Sequence, residues 1–175
     1  SEITGHPNRI ASVDWRPSGK QLATAGEDHS VRVWDAVTGR QTSMFHGHHR
    51  AVWSVEWSPD GKRIASCADD NTVNVVDVSA DDRNRDYPSG EPELPSVHWS
   101  PDSTRLAAGG RGVRWWTVRG EYKPVILMKP GKAQATNVAW CPKGKRLAAG
   151  CTDGKVTIWH TGTSEWPPTN PRAPK

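Results

Sequence analysis

Short apolar runs separated by turn-forming residues recur along the whole 175-residue chain. In the first stretch, the runs at 10–15, 21–25 and 31–34 are β-branched or alternate apolar with polar positions, and turn formers occupy 17–19 and 27–29. Alternation with a period of two is typical of strands that bury one face. No segment combines an apolar stripe at the 3.6-residue helical period with capping residues. The pattern therefore predicts an all-β chain of short antiparallel strands.

This pattern repeats with a period of about 42 residues. Trp15, Trp57, Trp99 and Trp140 are separated by 42, 42 and 41 positions, and each is followed by similar text: RPSGKQLATAG, SPDGKRIASCA, SPDSTRLAAGG and CPKGKRLAAGC. A period of about 40 to 45 residues with four strands in each unit is typical of a β-propeller blade. The sequence predicts four units, at 1–43, 44–86, 87–128 and 129–162, and a proline-rich tail at 163–175. We interpret the tail as a linker or an extended arm, because proline cannot donate to a strand ladder.

Residues at fixed places in these units resemble those of WD40 repeats over about 3–162. The unit-opening Gly-His pair occurs at 5–6 and 47–48, the turn aspartate as Asp28, Asp70 and Asp153, and the closing tryptophan as Trp34, Trp116 and Trp159. Trp34-Asp35 is the full signature dipeptide. The units also depart from the pattern: Val76-Asp77 and Trp159-His160 replace Trp-Asp, Glu91 and Lys132 take the histidine place, and Gly110-Arg111-Gly112 shortens the third turn. The resemblance implies a WD40-type β-propeller with four blades in this chain.

The resemblance also implies a buried hydrogen-bonded set of histidine, hydroxyl, aspartate and tryptophan that holds each blade to its turn. The members that the sequence supplies are His6, Thr24, Asp28 and Trp34 in the first unit, His48, Ser66 and Asp70 in the second, and Asp153 and Trp159 in the fourth. Units three and four each lack at least one polar member, so we expect them to be locally looser.

Members of this family use the narrow face of the propeller, where the Gly-His loops and the Asp turns emerge, to bind other proteins. By resemblance, eight positions belong to a candidate partner-binding face: Arg9, Glu27, Ala51, Asp69, Leu94, Arg111, Ala135 and Thr152. The implied function is a non-catalytic protein–protein interaction scaffold in which other proteins are the partners.

Catalytic and metal-binding patterns are weak in this sequence. The cluster His46-Gly47-His48-His49 is the best metal candidate, since imidazoles are common zinc and copper ligands, but His48 already has a place in the hydrogen-bonded set. The segment 109–112 lacks the spacing of a phosphate-binding loop, and no nucleophile elbow is present. We therefore expect no catalytic residues, no metal, no cofactor and no enzymatic activity.

Charge is distributed unevenly along the chain. Residues 51–100 hold 4 Lys and Arg against 10 Asp and Glu, whereas residues 101–175 hold 13 against 4. In a propeller this asymmetry becomes an acidic and a basic sector, which can steer a partner. The basic sector, with a sequence pI of about 9.1, makes a nucleic-acid-associated binding module an alternative. No groove-filling helix or stacking platform supports that alternative.

Composition and sequence pattern bear on the cellular location of the protein. Its mean hydropathy is −0.73, no apolar run is long enough for a membrane helix, and the start SEITGHPN has no signal-peptide pattern. Cys67, Cys141 and Cys151 are an odd and scattered set, which fits reduced thiols. We expect a cytoplasmic protein that does not bind membranes.

Four blades raise the question of how the ring closes. Propellers of the family that the units resemble usually contain seven or more blades, so four with the same packing should leave an open arc with two apolar ends. The sequence leaves three possibilities: a self-contained four-bladed ring, a segment of a larger propeller, or a structural piece that pairs with a second copy of itself.

Overall fold

The computed structural model describes residues 2–78, 84–88, 94–118, 125–128 and 133–161. Within these ranges the chain forms fifteen β-strands and no helix. The strands are β1 (Ile10–Trp15), β2 (Gln21–Gly26), β3 (Val31–Asp35), β4 (Gln41–Phe45), β5 (Val52–Trp57), β6 (Arg63–Ala68), β7 (Thr72–Asp77), β8 (Asn84–Pro88), β9 (Ser96–Trp99), β10 (Arg105–Gly109), β11 (Val113–Thr117), β12 (Val125–Met128), β13 (Ala135–Trp140), β14 (Arg146–Cys151) and β15 (Val156–His160).

The strands form four antiparallel meanders, which we call blades 1 to 4. Blade 1 contains β1–β4, blade 2 β5–β8, blade 3 β9–β12 and blade 4 β13–β15, each in chain order. The first strands of the blades, β1, β5, β9 and β13, lie side by side along the arc and are called the inner strands. The outer strands β4 and β8 each run two residues past the unit ends placed at 43 and 86.

Each inner strand is joined to the next strand by the same tight turn. Gly19, Gly61 and Gly144 adopt φ values of 66° to 70° at equivalent places in this turn. Blade 3 has Ser103 there, with φ 59°, a conformation that costs a residue with a side chain more than glycine. The Ser103 hydroxyl accepts a 3.0 Å hydrogen bond from the Asp60 backbone N–H of blade 2, which links the two turns.

A register shift recurs near the start of three inner strands. It falls between Ile10 and Ser12 in β1, between Val52 and Ser54 in β5, and between Ala135 and Asn137 in β13. A β-bulge disturbs the strict alternation of side chains and aims the extra residue away from the ladder. Trp53, inside the second shift, is therefore only half-buried although both Val52 and Val55 are buried.

The hydrophobic core lies between blades rather than within them. Alanine and valine side chains of β2 and β3 pack against Val52, Val55 and Trp57 of blade 2. A second cluster joins blades 2 and 3 around Trp99, and a third joins blades 3 and 4 around Val138 and Trp140. Three of the tryptophans that defined the period, Trp57, Trp99 and Trp140, thus pack into the core between their own blade and the preceding one.

The all-β propeller architecture with four successive blades is confirmed. The proline-rich tail at 163–175 lies outside the described residues, as do the loop positions Asp81, Asp82, Glu91 and Glu93 of the acidic sector. In the part of the chain that the structure describes, no helix is long and apolar enough to cross a membrane.

Candidate functional site at the ends of the inner strands

Blade 1 brings its four predicted members into one hydrogen-bonded chain. Nδ1 of His6 lies 3.0 Å from both carboxylate oxygens of Asp28, and Nε2 lies 2.7 Å from Thr24 Oγ1. The Trp34 indole N–H donates to the same Thr24 oxygen at 2.8 Å. The network is consistent with a neutral imidazole that donates from Nδ1 to Asp28 and accepts at Nε2 from the threonine hydroxyl. Each of these four side chains is therefore hydrogen-bonded to another member of the set.

The Asp28 carboxylate collects additional donors. The Ser30 hydroxyl donates to Oδ1 at 2.9 Å and the Arg32 guanidinium to Oδ2 at 2.8 Å. Burial by itself raises the pKa of Asp28, but the hydrogen bonds from Ser30 and His6 outweigh it and hold the pKa below its usual value. The charged carboxylate is therefore the stable form of this junction.

Blade 2 builds the same set with one member missing. Nδ1 of His48 lies 2.9 Å from Asp70 Oδ2, and Nε2 lies 2.8 Å from Ser66 Oγ. Val76 occupies the place of Trp34, and a cavity of about 10 Å³ remains among Ser66, His48, Asn74 and Val76. Among the described residues, both amide atoms of Asn74 are buried there without a hydrogen-bond partner.

Blades 3 and 4 do not repeat this arrangement in the described residues. Ala108 and Ala149 stand where blades 1 and 2 have the Thr24 and Ser66 hydroxyls, so no acceptor is offered to the Trp159 indole at that place. The Asp153 carboxylate lies 2.9 Å from Lys155 Nζ, on the surface. The placement of Asp153 and Trp159 in a buried set is therefore wrong, because their blade lacks the hydroxyl that bridges histidine and tryptophan.

The predicted face residues meet in pairs at one edge of the blades. Arg9 and Glu27 form an exposed ion pair of 3.3 Å, and the Glu27 N–H donates to the Arg9 carbonyl. In the same way the Asp69 N–H donates to the Ala51 carbonyl at 3.1 Å. In blade 4 the equivalent bond runs from the Thr152 N–H to the Gln134 carbonyl at 2.9 Å. Arg111 is exposed in the shortened turn of blade 3.

Two predicted face residues, Leu94 and Ala135, are buried instead. Their exposed fractions are 2% and 0%. The third and fourth units are one residue shorter than the first two between the histidine place and the inner-strand tryptophan. Counting forward from the histidine place therefore reaches a different position in these two units. Counted back from that tryptophan, both residues occupy the place of the buried Val52. A shift of one residue moves a strand side chain to the opposite face. The place of Arg9 and Ala51 belongs to Gln134 in blade 4.

A cavity of about 400 Å³ opens beside these paired residues, between blades 2, 3 and 4. It is lined by Trp53, Asp69, Pro95, Gly110, Gln134, Ala135 and Thr136. Trp53, Pro95 and Thr136 occupy one equivalent place, four residues before the inner-strand tryptophan. Counting from the tryptophan would have identified them in the sequence. The described lining of the cavity thus combines an aromatic residue, small apolar residues and one acidic residue, Asp69.

A row of titratable groups lies further along the inner strands. The backbone N–H of Trp57 donates to the Asp14 carboxylate at 2.7 Å, and the backbone N–H of Trp99 donates to the Glu56 carboxylate at 2.6 Å. Burial raises the pKa of Glu56 to about 8, against which the Trp99 hydrogen bond acts only in part. Burial also raises the pKa of Asp14 and lowers that of His98. These side chains join neighbouring blades.

The remaining reactive side chains have structural positions. Burial raises the pKa of the Cys67 thiol far above its ordinary value, which leaves it protonated and inert. Cys141 Sγ accepts the Arg146 N–H at 3.2 Å, as Ser58 and Ser100 do in blades 2 and 3. Among the described residues, no group of three or more His, Cys, Asp or Glu side chains could hold a metal ion.

The charge sectors are present in part. In the acidic sector, Asp69 is half-buried and Asp70 is hydrogen-bonded to His48. In the basic sector, the exposed residues include Arg111, Lys143, Lys145 and Arg146. Arg114, which the sequence placed in the basic sector, is instead 6% exposed. Four further basic residues, Arg119, Lys123, Lys129 and Lys132, lie outside the described residues.

Comparison with known families agrees with this architecture. The family model described as WD domain, G-beta repeat matches residues 1–35, 39–77 and 126–160, together more than half of the chain. The chain belongs to the WD40 repeat family. The stretch between the second and third WD40 matches contains most of blade 3, whose turn has no aspartate.

Curated relatives share single stretches of this WD40 chain. The ribosome biogenesis protein erb1 of Aspergillus clavatus is 57% identical over 37 residues, which is 21% of this chain and 5% of that protein. ERB1 of Chaetomium globosum is 54% identical over 37 residues, which is again 21% of this chain and 5% of that protein. The probable cytosolic iron-sulfur protein assembly protein Ciao1 of Anopheles gambiae is 48% identical over 33 residues, 19% of this chain and 10% of that protein. The match thus spans only a small part of each relative.

Proposed function

We propose that this WD40 chain is a non-catalytic scaffold that binds other proteins, and that the cavity beside Trp53 receives a basic side chain of an extended partner segment. The observation that carries the proposal is the cavity of about 400 Å³, which Trp53 and Asp69 line together. It opens at the edge where the Arg9–Glu27 and Ala51–Asp69 pairs emerge.

The chemistry of the cavity favours a cation with an aliphatic stem. A lysine or arginine side chain can place its charge near Asp69 and over an aromatic ring, an arrangement more favourable when desolvated. Its methylene groups can pack on Pro95 and Ala135, which form apolar parts of the wall. Ala51, Arg111, Thr152 and Gln134 then serve as the rim that contacts the rest of the segment, whereas Glu27 of blade 1 is not among the described residues that line the cavity.

The relatives support an assembly role of this kind. The names of two of them concern ribosome biogenesis and cytosolic iron-sulfur protein assembly, and neither name describes an enzyme. With three free cysteines in the chain, a cytoplasmic location is consistent with the proposal.

The test is selection of displayed random peptides on the purified chain, followed by affinity measurements on those selected. We expect peptides enriched in Lys or Arg, whose affinity falls at least about tenfold in Trp53→Ala and in Asp69→Asn, and falls as salt rises from about 0.05 to 0.5 M. Glu27→Gln is the matched control, because it removes the same kind of charge at the equivalent place in blade 1. Selected peptides without basic residues, or equal losses in Glu27→Gln, would contradict the proposal.

A further inference from the structure

The turn between the second and third strands carries a different charge from blade to blade. Counted from the inner-strand tryptophan, one place in this turn is held in blades 1 to 4 by Glu27, Asp69, Arg111 and Thr152. The charge is negative in the first two blades, positive in the third and absent in the fourth. Asp69 lines the cavity of about 400 Å³, and Arg111 directly follows Gly110, which also lines it. The sign of the charge therefore reverses at this cavity.

The charges of Asp69 and Arg111 are not used within the described part of the chain. Arg111 is exposed and Asp69 is half-buried. Among the described residues, neither side chain has a hydrogen-bond or ion-pair partner, and the two do not pair with each other. In blade 1, by contrast, Glu27 is paired with Arg9 at 3.3 Å. Ala51 holds the place of Arg9 in blade 2, so Asp69 has no cation at that place.

The backbone of the two turns holds these charges in fixed positions. The Asp69 N–H donates to the Ala51 carbonyl at 3.1 Å, which fastens the blade 2 turn to the start of β5. The Gly110 carbonyl accepts the Ala135 N–H at 2.7 Å, which fastens the blade 3 turn to blade 4. A Cβ atom at Gly109 would lie only 3.1 Å from the Ala135 carbonyl oxygen, so this turn packs directly on β13. Two opposite charges are thus presented beside one cavity without closing into an ion pair.

We propose that the partner segment is dipolar: its basic residue enters the cavity towards Asp69, and an acidic residue of the same segment binds Arg111. This inference rests on the proposed function, because it names a second charge of the same segment. An extended segment can present both charges to one surface, since alternate side chains of an extended chain point to the same side. Complementary charges fix the register of a partner and suppress wrong partners more than they raise affinity. The acidic residue of the segment therefore lies on the blade 3 side of the cavity.

Peptides selected on the purified chain test the second charge. We expect an acidic residue at a constant spacing from the basic one. Arg111→Gln should weaken such a peptide about two- to fivefold, the range of an exposed ion pair, with most of the change in the association rate. Arg9→Gln is the matched control and should leave the affinity unchanged, because Arg9 is an exposed arginine whose partner is Glu27 of blade 1.

A double-mutant cycle separates direct binding by Arg111 from an indirect effect. A peptide whose acidic residue is replaced by its amide should bind the native chain and Arg111→Gln equally well. Glu93 holds the place of Arg9 in blade 3 and lies outside the described residues. The effect of Arg111→Gln should persist when Glu93→Gln is also present. An effect that survives removal of the acidic residue from the peptide, or that vanishes with Glu93→Gln, overturns the inference.

Exchanging the two charges gives the decisive result. Asp69 and Arg111 hold the same place in successive blades, so Asp69→Arg combined with Arg111→Asp reverses the dipole at unchanged positions. We expect this double variant to prefer a peptide with its basic and acidic residues exchanged by about fivefold or more over the original peptide. Continued preference for the original peptide contradicts the inference. Circular dichroism checks the fold, and if the double variant does not fold, the Arg111→Gln cycle decides.

The outcomes distinguish this inference from the proposed function. Selected peptides without basic residues would overturn the proposed function and the dipolar segment together. Basic peptides that are weakened by Asp69→Asn but not by Arg111→Gln would leave the proposed function standing and overturn only the acidic residue.

Discussion

Nδ1 of His6 lies 3.0 Å from the Asp28 carboxylate, although 22 residues separate the two in the chain. His6 precedes the first strand of blade 1 and Asp28 lies in the turn between β2 and β3, so this contact fastens the entering segment to the blade. Both side chains are almost fully covered. Removing one partner leaves buried donors or acceptors unmatched, which costs more than the hydrogen bond contributes.

Asp28→Ala should therefore lower the free energy of unfolding by about 1 to 3 kcal/mol. His6→Ala should lower it by a similar amount, while Arg111→Ala, at an exposed turn position, should change it by less than about 0.5 kcal/mol. Denaturant unfolding of the three variants checks this order. Equal losses for Arg111→Ala and Asp28→Ala would show that the His6–Asp28 contact does not stabilise the blade.

Gly26 should not tolerate a side chain. A Cβ atom at this place would lie 2.8 Å from His6 Nδ1 and 3.0 Å from Asp28 Oδ1, inside the contact that holds the blade. We expect Gly26→Ala to destabilise by about 1 to 3 kcal/mol through overpacking. Gly150→Ala is the control, because its nearest neighbour lies 4.0 Å away and alanine suits a strand better. Comparable melting temperatures for the two variants would contradict the expectation.

Asn74 places a buried amide in blade 2. Asn74 is 2% exposed and lies beside the space that a tryptophan fills in blade 1, and neither of its amide atoms is hydrogen-bonded to another described residue. Replacing an unmatched buried amide by an apolar group of similar size removes its desolvation cost, so Asn74→Leu should stabilise by about 1 to 3 kcal/mol. Thr157→Leu, at the equivalent exposed place in blade 4, should have little effect. A loss of stability in Asn74→Leu would indicate that an internal water satisfies the amide.

Stability should fall as the pH rises from 7 to 8. The folded chain keeps a proton on Glu56, whose pKa is about 8, whereas the unfolded chain releases it near 4.5. The folded state therefore binds more protons in this window, and the free energy of unfolding falls by at most about 1.4 kcal/mol per pH unit. Burial also lowers the pKa of His98 and raises that of Asp14, and a variant without the Glu56 carboxyl separates their contribution from that of Glu56.

Glu56→Gln checks the assignment of this pH dependence. The amide oxygen can still accept the Trp99 N–H, and the variant has no proton to release, so its stability should be flat between pH 7 and 8 and higher than that of the native chain at pH 8. An unchanged slope in chemical unfolding at the two pH values would assign the effect to another group.

The repeat unit and its strands could be predicted from the sequence because both depend on local pattern. The 42-residue spacing of Trp15, Trp57 and Trp99 reflects a place that each blade fills in the same way. The members of the blade 1 set, His6, Thr24, Asp28 and Trp34, could also be identified, since each belongs to a recurring place. The failures came where units differ in length: one missing residue was enough to turn Leu94 and Ala135 from the surface into the core.

By itself the sequence determined the all-β class, the number of units and the residues that could hydrogen-bond within a blade, because these follow from periods of two and of 42 along one chain. Tertiary structure alone decided which side chains meet across blades. The bulge that turns Trp53 towards a cavity, the burial that raises the pKa of Glu56, and the exposure of Val13 and Ile158 at the ends all depend on whether a neighbouring blade is present. A linear pattern records which residue occupies a place, but not what packs against it.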